Sequence, residues 1–250
     1  MPLESDQRDW DELGSIDPEW AILSDAARKD GGWDRDEFLA TGPRDIAEAL
    51  ERFAQLPSPS YGAALDFGCG LGRLTRALAG PFGSAVGVDI APSMVNGAER
   101  MNADLGNVSF AVNDRDDLTE IAADGSFDLV FSFIALQHVS SREAIVSYIT
   151  DFVRIVRPGG LVAFQLPSWI SPIKRIQPKR HMYRALRGIG VPTATLHGTL
   201  QLHPMAMRFL PVDEVLEVLT SAGAEVTGFD TAPPHDDFPG YRSTNYYATK

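Results

Sequence analysis

Three groups of residues have types and spacing that suit one small ligand. The first is Leu65-Asp66-Phe67-Gly68-Cys69-Gly70-Leu71-Gly72-Arg73-Leu74, an apolar run holding an acid, a glycine-rich turn and the start of a helical pattern. Glycines tolerate positive φ and let a ligand approach the backbone closely. The free N–H groups of the next helix start suit a carboxylate or a phosphate. The second group is Ala85-Val86-Gly87-Val88-Asp89, which ends in an acid. A carboxylate at that strand end accepts hydrogen bonds from both hydroxyls of a ribose. The third is Asn113-Asp114, after the apolar run Val108–Val112, a place for an amide or carboxylate facing a nucleobase amine. Together they describe a nucleoside-shaped cleft.

Two ligand classes compete for it. Dinucleotides favour G-x-G-x-x-G, whereas the spacing here is Gly68-x-Gly70-x-Gly72, one residue short. Asp66 would face a pyrophosphate unfavourably. It suits the cationic amino group of an amino acid joined to the nucleoside.

The elements that position these groups alternate. Strand patterns fall at Ala63–Phe67, Ala85–Asp89, Val108–Val112, Phe127–Phe133 and Leu161–Leu166. Helical patterns fall at Arg73–Ala79, Ser93–Leu105 and 141–156, and Arg157-Pro158-Gly159-Gly160 reads as a turn. Strands alternating with helices imply parallel pairing through right-handed crossovers. The nearly continuous apolar strands fit a sheet covered on both faces. Val212–Ala222 reads as a helix stopped by Gly223. Glu225–Asp230 and Thr244–Thr249 read as strands, with Pro233-Pro234 and Pro239-Gly240 between them. Upstream, helices are expected at 18–29 and at 43–56, the latter started by Thr41-Gly42-Pro43 and closed by Pro57-Ser58-Pro59-Ser60.

Over residues 63–167 the sequence resembles the class I S-adenosylmethionine-dependent methyltransferases. The resemblance rests on LDFGCGLGRLT, VGVDIAPSMV, FAVNDRDDL, FDLVFSFIALQHV and VRIVRPGGLVAFQLP in that order. It implies an α/β, Rossmann-like, doubly wound and mostly parallel seven-stranded sheet, with the last two strands antiparallel. It implies S-adenosylmethionine as cofactor. Carried onto this chain, Asp66, Gly68 and Gly70 surround the methionine end. Asp89 binds the ribose diol with Ile90 beside the adenine, Asp114 with Asn113 meets the adenine amine, and Phe133 lines the cofactor. The implied organisation is a helical cap at 1–60 and a methyltransferase domain at 61–250. That domain divides into a cofactor core at 61–167, an acceptor-side insertion at 168–210, and a C-terminal helix and strand pair at 211–250.

The methyl group of a sulfonium is already electrophilic, so the protein's work is largely orientation and exclusion of water. A base is needed only for an acceptor that arrives protonated. His138, after the fourth strand, is the expected base. His197 and His203 lie in the insertion, where a structural role competes with acceptor contact. Cys69 reads as a small packed residue, since no cation is placed to activate it. A metal is not expected, and His235-Asp236-Asp237 reads as an exposed loop.

Composition excludes several classes. The 250 residues are 44% hydrophobic, with 22 Lys+Arg against 34 Asp+Glu, giving −12. That apolar fraction supports a packed core. No apolar run approaches the length of a membrane span. The start, MPLESDQRDWDEL, lacks the pattern of a signal peptide, and the single cysteine cannot form an internal disulfide, so a reducing cytoplasm is the expected compartment. Net acidity argues against non-specific nucleic-acid binding. The loop Ser132-Phe133-Ile134-Ala135 also lacks the Asn/Asp-Pro-Pro-aromatic tetrad common among base N-methyltransferases of the superfamily.

Charge is segregated along the chain. Residues 1–60 carry 15 acids and 6 bases. Residues 168–210 carry Lys174, Arg175, Lys179, Arg180, Arg184, Arg187 and Arg208 with no acid, a segment of +7 in a chain whose remainder carries −19. The insertion reads either as a basic face offsetting acidic neighbours or as the recognition site of an anionic or sugar-linked acceptor through Lys179, Arg180 and Arg184. Trp169, Ile170, Ile173 and Ile176 beside these cations also suit peripheral contact with a membrane surface. Trp10, Trp20, Trp33 and Phe38 read either as anchors of a helical lid or as aromatics that dock these helices on the core. The expected activity is methyl transfer to an oxygen or nitrogen of a small molecule; a non-catalytic cofactor binder and an RNA methyltransferase are the alternatives.

Overall fold

The computed structural model describes residues 2–232 and 240–250. Pro233-Pro234, Pro239 and His235-Asp236-Asp237 lie outside the described residues.

The chain begins with α1 (Pro2–Ile16), α2 (Pro18–Ile22), a 3-10 turn at Ala26–Arg28 and α3 (Arg35–Ala54). The helix expected at 18–29 therefore breaks after Ile22, and the one expected to start at Pro43 begins eight residues earlier. Asp34 caps α3 by accepting the N–H groups of Asp36 and Glu37, and this side-chain cap sets the true start. Pro43 lies inside the helix. Next to it, Gly42 meets the next layer so closely that a Cβ there would sit 2.4 Å from the Arg73 carbonyl oxygen.

Then come β1 (Ala63–Phe67), α4 (Arg73–Leu78), β2 (Ser84–Asp89), α5 (Pro92–Met101), β3 (Val108–Val112), β4 (Phe127–Ser132), a 3-10 turn at Leu136–His138 and α6 (Arg142–Ile155). They are followed by β5 (Val156–Ile170), α7 (Pro172–Arg175), α8 (Pro178–Gly188), a π turn at Thr195–Thr199, α9 (Val212–Ser221), β6 (Glu225–Thr231) and β7 (Tyr241–Thr249). The sheet order is β3-β2-β1-β4-β5-β7-β6, with β7 antiparallel to both its neighbours. This is the expected seven-stranded doubly wound sheet. β5 and β7 extend furthest beyond their expected ranges. β5 spans the Arg157–Gly160 segment, where its register to β4 shifts, and continues to Ile170, which pairs with Tyr241.

Side-chain alternation fixes which face each strand residue serves. Leu65 and Phe67 join Val130, Val162 and Phe164 under α6 and α9. Ala64 joins Leu129, Leu161 and Ala163 under α3 and α4, where Ile46, Phe53, Leu74 and Leu78 are buried. Asp66 shares the α4 face. A third cluster, Leu13, Ala21, Phe38, Leu71, Ala91 and Met94, fastens α1 and α2 to α5 and the glycine turn. No helix among the described residues is long and apolar enough to cross a membrane.

Candidate active site

The carboxyl ends of β1, β2 and β4 open into a cavity of about 970 Å³, a volume that includes its open mouth. Gly68, Gly70, Asp89, Ile90, Asn113 and Phe133 all border it, so six of the expected cofactor residues meet in one place.

The glycine turn forms because three positions demand it. Gly68, Gly70 and Gly72 have φ of +75°, +52° and +77°, a region that costs other residues about 1–2 kcal/mol. Space demands it as well. A Cβ on Gly68 would lie 2.2 Å from the Ala135 Cβ, and one on Gly70 would lie 2.5 Å from the Ile22 Cδ1 of α2. The turn is tied to β2 by the N–H groups of Gly68 and Cys69, which donate to the Val88 carbonyl at 2.8 and 3.0 Å. Asp89 adds a second tie: its Oδ2 accepts the Gly70 N–H at 2.9 Å and its Oδ1 accepts the Ala91 N–H at 2.9 Å. Burial raises the Asp89 carboxyl above its ordinary value, against those backbone bonds. Each oxygen keeps a further lone pair for a ligand hydroxyl.

Two expected residues stand elsewhere. Asp66 is fully buried beneath α4 and does not border the cavity; its Oδ2 accepts from Thr75 Oγ1 at 2.7 Å, and its Oδ1 has no partner. Desolvation pushes its carboxyl up to about 6. Asp114 is exposed and also outside the cavity wall, because the chain turns away after Asn113. Asn113 itself is buried, and its amide donates to the carbonyls of Arg115 and Asp117, both at 3.1 Å.

His138 borders the cavity. Its Nδ1 lies 2.7 Å from the Ala206 carbonyl oxygen. A carbonyl only accepts, so Nδ1 carries the proton and Nε2 presents a lone pair. Burial pushes the imidazole down to about 4, so the ring is neutral at pH 7. His197 and His203 do not border the cavity. The His197 ring packs edge-on against Trp20 at 5.0 Å, and its carbonyl accepts from Lys29 at 2.8 Å. Cys69 is buried, and burial raises its thiol well above the ordinary value. No group of metal-binding side chains occurs among the described residues.

Several wall residues were not legible in the sequence, Trp10 of the expected lid apart. Asp6 and Trp10 of α1 and Ile22 of α2 border the cavity, and the Trp10 ring meets the His138 ring edge-on at 5.2 Å. Ile134 also borders it, at φ +59°, a rare conformation for a β-branched residue. Its N–H donates to Gln165 Oε1 at 3.2 Å, and Gln165 Nε2 donates to Ser243 at 2.6 Å. Arg73, the first residue of α4, pairs with Asp45 at 2.7 Å and Thr41 at 3.1 Å, while its buried Nε has no partner.

Three of the seven cations of the basic insertion face the acidic N-terminus. Arg180 and Arg184 lie 3.9 Å from Asp6, Arg184 lies 3.9 Å from Asp9, and Arg187 pairs with Glu12 at 2.5 Å. Arg208 donates to the Val139 carbonyl at 2.7 Å and to that of Ser140. Lys179 is exposed and outside the cavity wall. Arg180 and Arg184 thus face acids of α1, as in the reading of a basic face that offsets acidic neighbours. Ile170 is buried in β5, whereas Ile173 and Ile176 are exposed.

Comparison with known proteins agrees with this geometry. Residues 64–160 match the methyltransferase domain family. The chain is 39% identical over 141 residues to the biotin biosynthesis bifunctional protein BioCD of Bordetella avium, covering 55% of this chain and 29% of that protein. It is 30% identical over 138 residues to trans-aconitate 2-methyltransferase of Deinococcus radiodurans, covering 54% of this chain and 50% of that one. The chain thus spans half or less of the length of these two relatives. The fold matches that of magnesium protoporphyrin IX methyltransferase from Synechocystis, solved with bound SAH, at a TM-score of 0.61 and 17% identity over the whole of both chains. Residues 64–160 thus carry a methyltransferase domain, set in the sheet order and around the three-glycine turn on which the resemblance to the class I S-adenosylmethionine-dependent methyltransferases rests.

Proposed function

We propose that the protein transfers a methyl group from S-adenosylmethionine to an oxygen or nitrogen of a small acceptor bound beside Trp10 and His138. The observation that carries this reading is the continuity of one cavity from Asp89 and Asn113, at the strand ends, to Asp6, Trp10 and His138. A pure cofactor binder has no use for the second part.

The residues present fit the cofactor. Asp89 offers lone pairs to a ribose diol, and Ile90 and Phe133 provide apolar walls for the purine and the thioether arms. Arg73 borders the cavity and its buried Nε is unpartnered, which suits the carboxylate of an amino-acid tail. The cofactor supplies an electrophilic methyl on sulfur. The chain's part is to bind, orient and keep water out. Ile22 on the Gly70 turn and Trp10 against His138 close the cap over the cavity.

Incubation with methyl-labelled S-adenosylmethionine and pools of small acceptors tests the reading. Label should enter an acceptor with wild-type protein and fail to do so with Asp89→Ala. Binding of S-adenosylhomocysteine without transfer to any pool would favour the binder.

A further inference from the structure

We propose that Asp6 is the acceptor-binding carboxylate of this cavity, and that the acceptor brings it an N–H or O–H donor, as an amine or an alcohol does and a carboxylate does not. This rests on the methyl-transfer reading and narrows it.

Asp6 is 8% exposed, borders the cavity and has an Oδ2 with no hydrogen-bond partner. It also borders an adjoining hollow of about 200 Å³ with Asp9, Trp10, His138 and Ala206. Its two arginine neighbours both approach the other oxygen, Oδ1, at 3.9 Å, beyond hydrogen-bond distance. A buried carboxylate oxygen left without a donor is costly, and a ligand donor would remove that cost.

The surrounding groups point the same way. His138 has its Nδ1 proton committed to Ala206, and its Nε2 lone pair accepts from Gln137 Nε2 at 3.4 Å. Ser140 donates its hydroxyl to Asp116 at 3.3 Å. Arg208 is committed to the Val139 and Ser140 carbonyls. Arg73, the cation of the cavity wall, belongs to the glycine turn and is paired with Asp45. The acceptor part therefore offers Asp6 Oδ2 as an uncommitted hydrogen-bond acceptor, and among the described residues that line it there is no Lys or Arg besides Arg73. A carboxylate there has no proton to give Asp6 Oδ2 and would meet like charge at Asp6, offset in part by Arg180 and Arg184 at 3.9 Å from its Oδ1.

The chemistry balances. The acceptor's nitrogen or oxygen lone pair forms the new bond to the methyl carbon, and the electron pair of the breaking S–C bond stays on sulfur. The proton leaving the acceptor passes to Asp6 Oδ2. Burial, opposed by Arg180, Arg184 and Arg208, raises the Asp6 carboxyl above its ordinary value, which helps it hold that proton.

The test uses the full chain saturated with S-adenosylhomocysteine and three probes on one scaffold: 2-phenylethylamine, 2-phenylethanol and phenylacetate. Calorimetry should show the amine and the alcohol binding at least about tenfold more tightly than phenylacetate, a difference of about 1.4 kcal/mol. Asp6→Asn should weaken the amine by about tenfold or more while S-adenosylhomocysteine affinity stays at the wild-type value. Phenylacetate binding as tightly as the other two, no binding of amine or alcohol at millimolar concentration, or an unchanged amine affinity in Asp6→Asn would each overturn the inference. The wild-type preference decides the matter even if the variant does not fold. Failure of S-adenosylhomocysteine to bind at all would instead overturn the methyl-transfer reading, and this inference with it.

Discussion

Asp89 Oδ2 accepts the Gly70 N–H at 2.9 Å, so one carboxylate both fastens the glycine turn to β2 and faces the cavity. Asp89→Ala removes the fastening and the acceptor for the ribose hydroxyls together. Hydrogen bonds to charged groups contribute about 1.5–3 kcal/mol. Calorimetric affinity for S-adenosylhomocysteine should fall by roughly tenfold to a hundredfold or more. Wild-type affinity in this variant would refute the ribose assignment.

Gly68 and Ala135 stand so close that a methyl on the glycine would sit 2.2 Å from the Ala135 Cβ. Gly68→Ala should cost about 1–2 kcal/mol for its positive φ, with a further 1–3 kcal/mol for overpacking. Urea unfolding should show the loss, and cofactor affinity should fall with it. A variant as stable as wild type would mean that the turn is looser than described.

Ile134 holds a left-handed backbone conformation in the cavity wall, and Gln165 restrains it through the Ile134 N–H. Residues kept in such conformations cost about 1–3 kcal/mol and persist only where their surroundings hold them. Gln165→Ala should loosen the wall after β4, speeding amide exchange at Ile134 and Ala135 and weakening cofactor binding while β5 stays paired to β7. Unchanged exchange would show that packing alone fixes the loop.

The His138 imidazole is pushed down to about 4 by burial, from an ordinary 6.5. Between those values the unfolded chain takes up a proton that the folded chain refuses. The stability linked to this histidine is therefore whole above about pH 6.5 and is lost as pH falls toward 4, by at most about 3 kcal/mol. Asp66 and Asp9, both raised to about 6, have the opposite slope, losing stability as pH rises through that range. The difference between wild type and His138→Phe isolates the histidine: the wild-type protein should lose stability relative to the variant as pH drops from 6.5 to 4. A pH-independent difference would contradict the buried, neutral ring.

The strand ends were legible because each combines an apolar run with a glycine or an acid at a fixed place, as in Leu65–Gly72 and Val86–Asp89. The sheet followed from their alternation with helices. Asp66 was misplaced because alternation along β1 turns it beneath α4, with Thr75, although it follows Leu65 in the motif. The wall supplied by α1 was hidden for a different reason. Asp6 and Trp10 reach the cavity where α1 packs through Leu13 on Leu71 and Met94 and where Asp6, Asp9 and Glu12 meet Arg180, Arg184 and Arg187 on α8. The sequence holds the trace of this, acids spaced by three facing arginines spaced by three and four, but pairing two distant helices requires the fold. The start of α3 was obscured by Pro43, which imitates a first-turn proline.

The most direct test of the central claim is a crystal structure of the protein grown with S-adenosylhomocysteine. The account predicts the ribose on Asp89, the purine beside Ile90 and Asn113, and the sulfur within the wall formed by Gly68, Phe133 and Ile134. An empty glycine turn, or the ligand bound in another cavity, would contradict it.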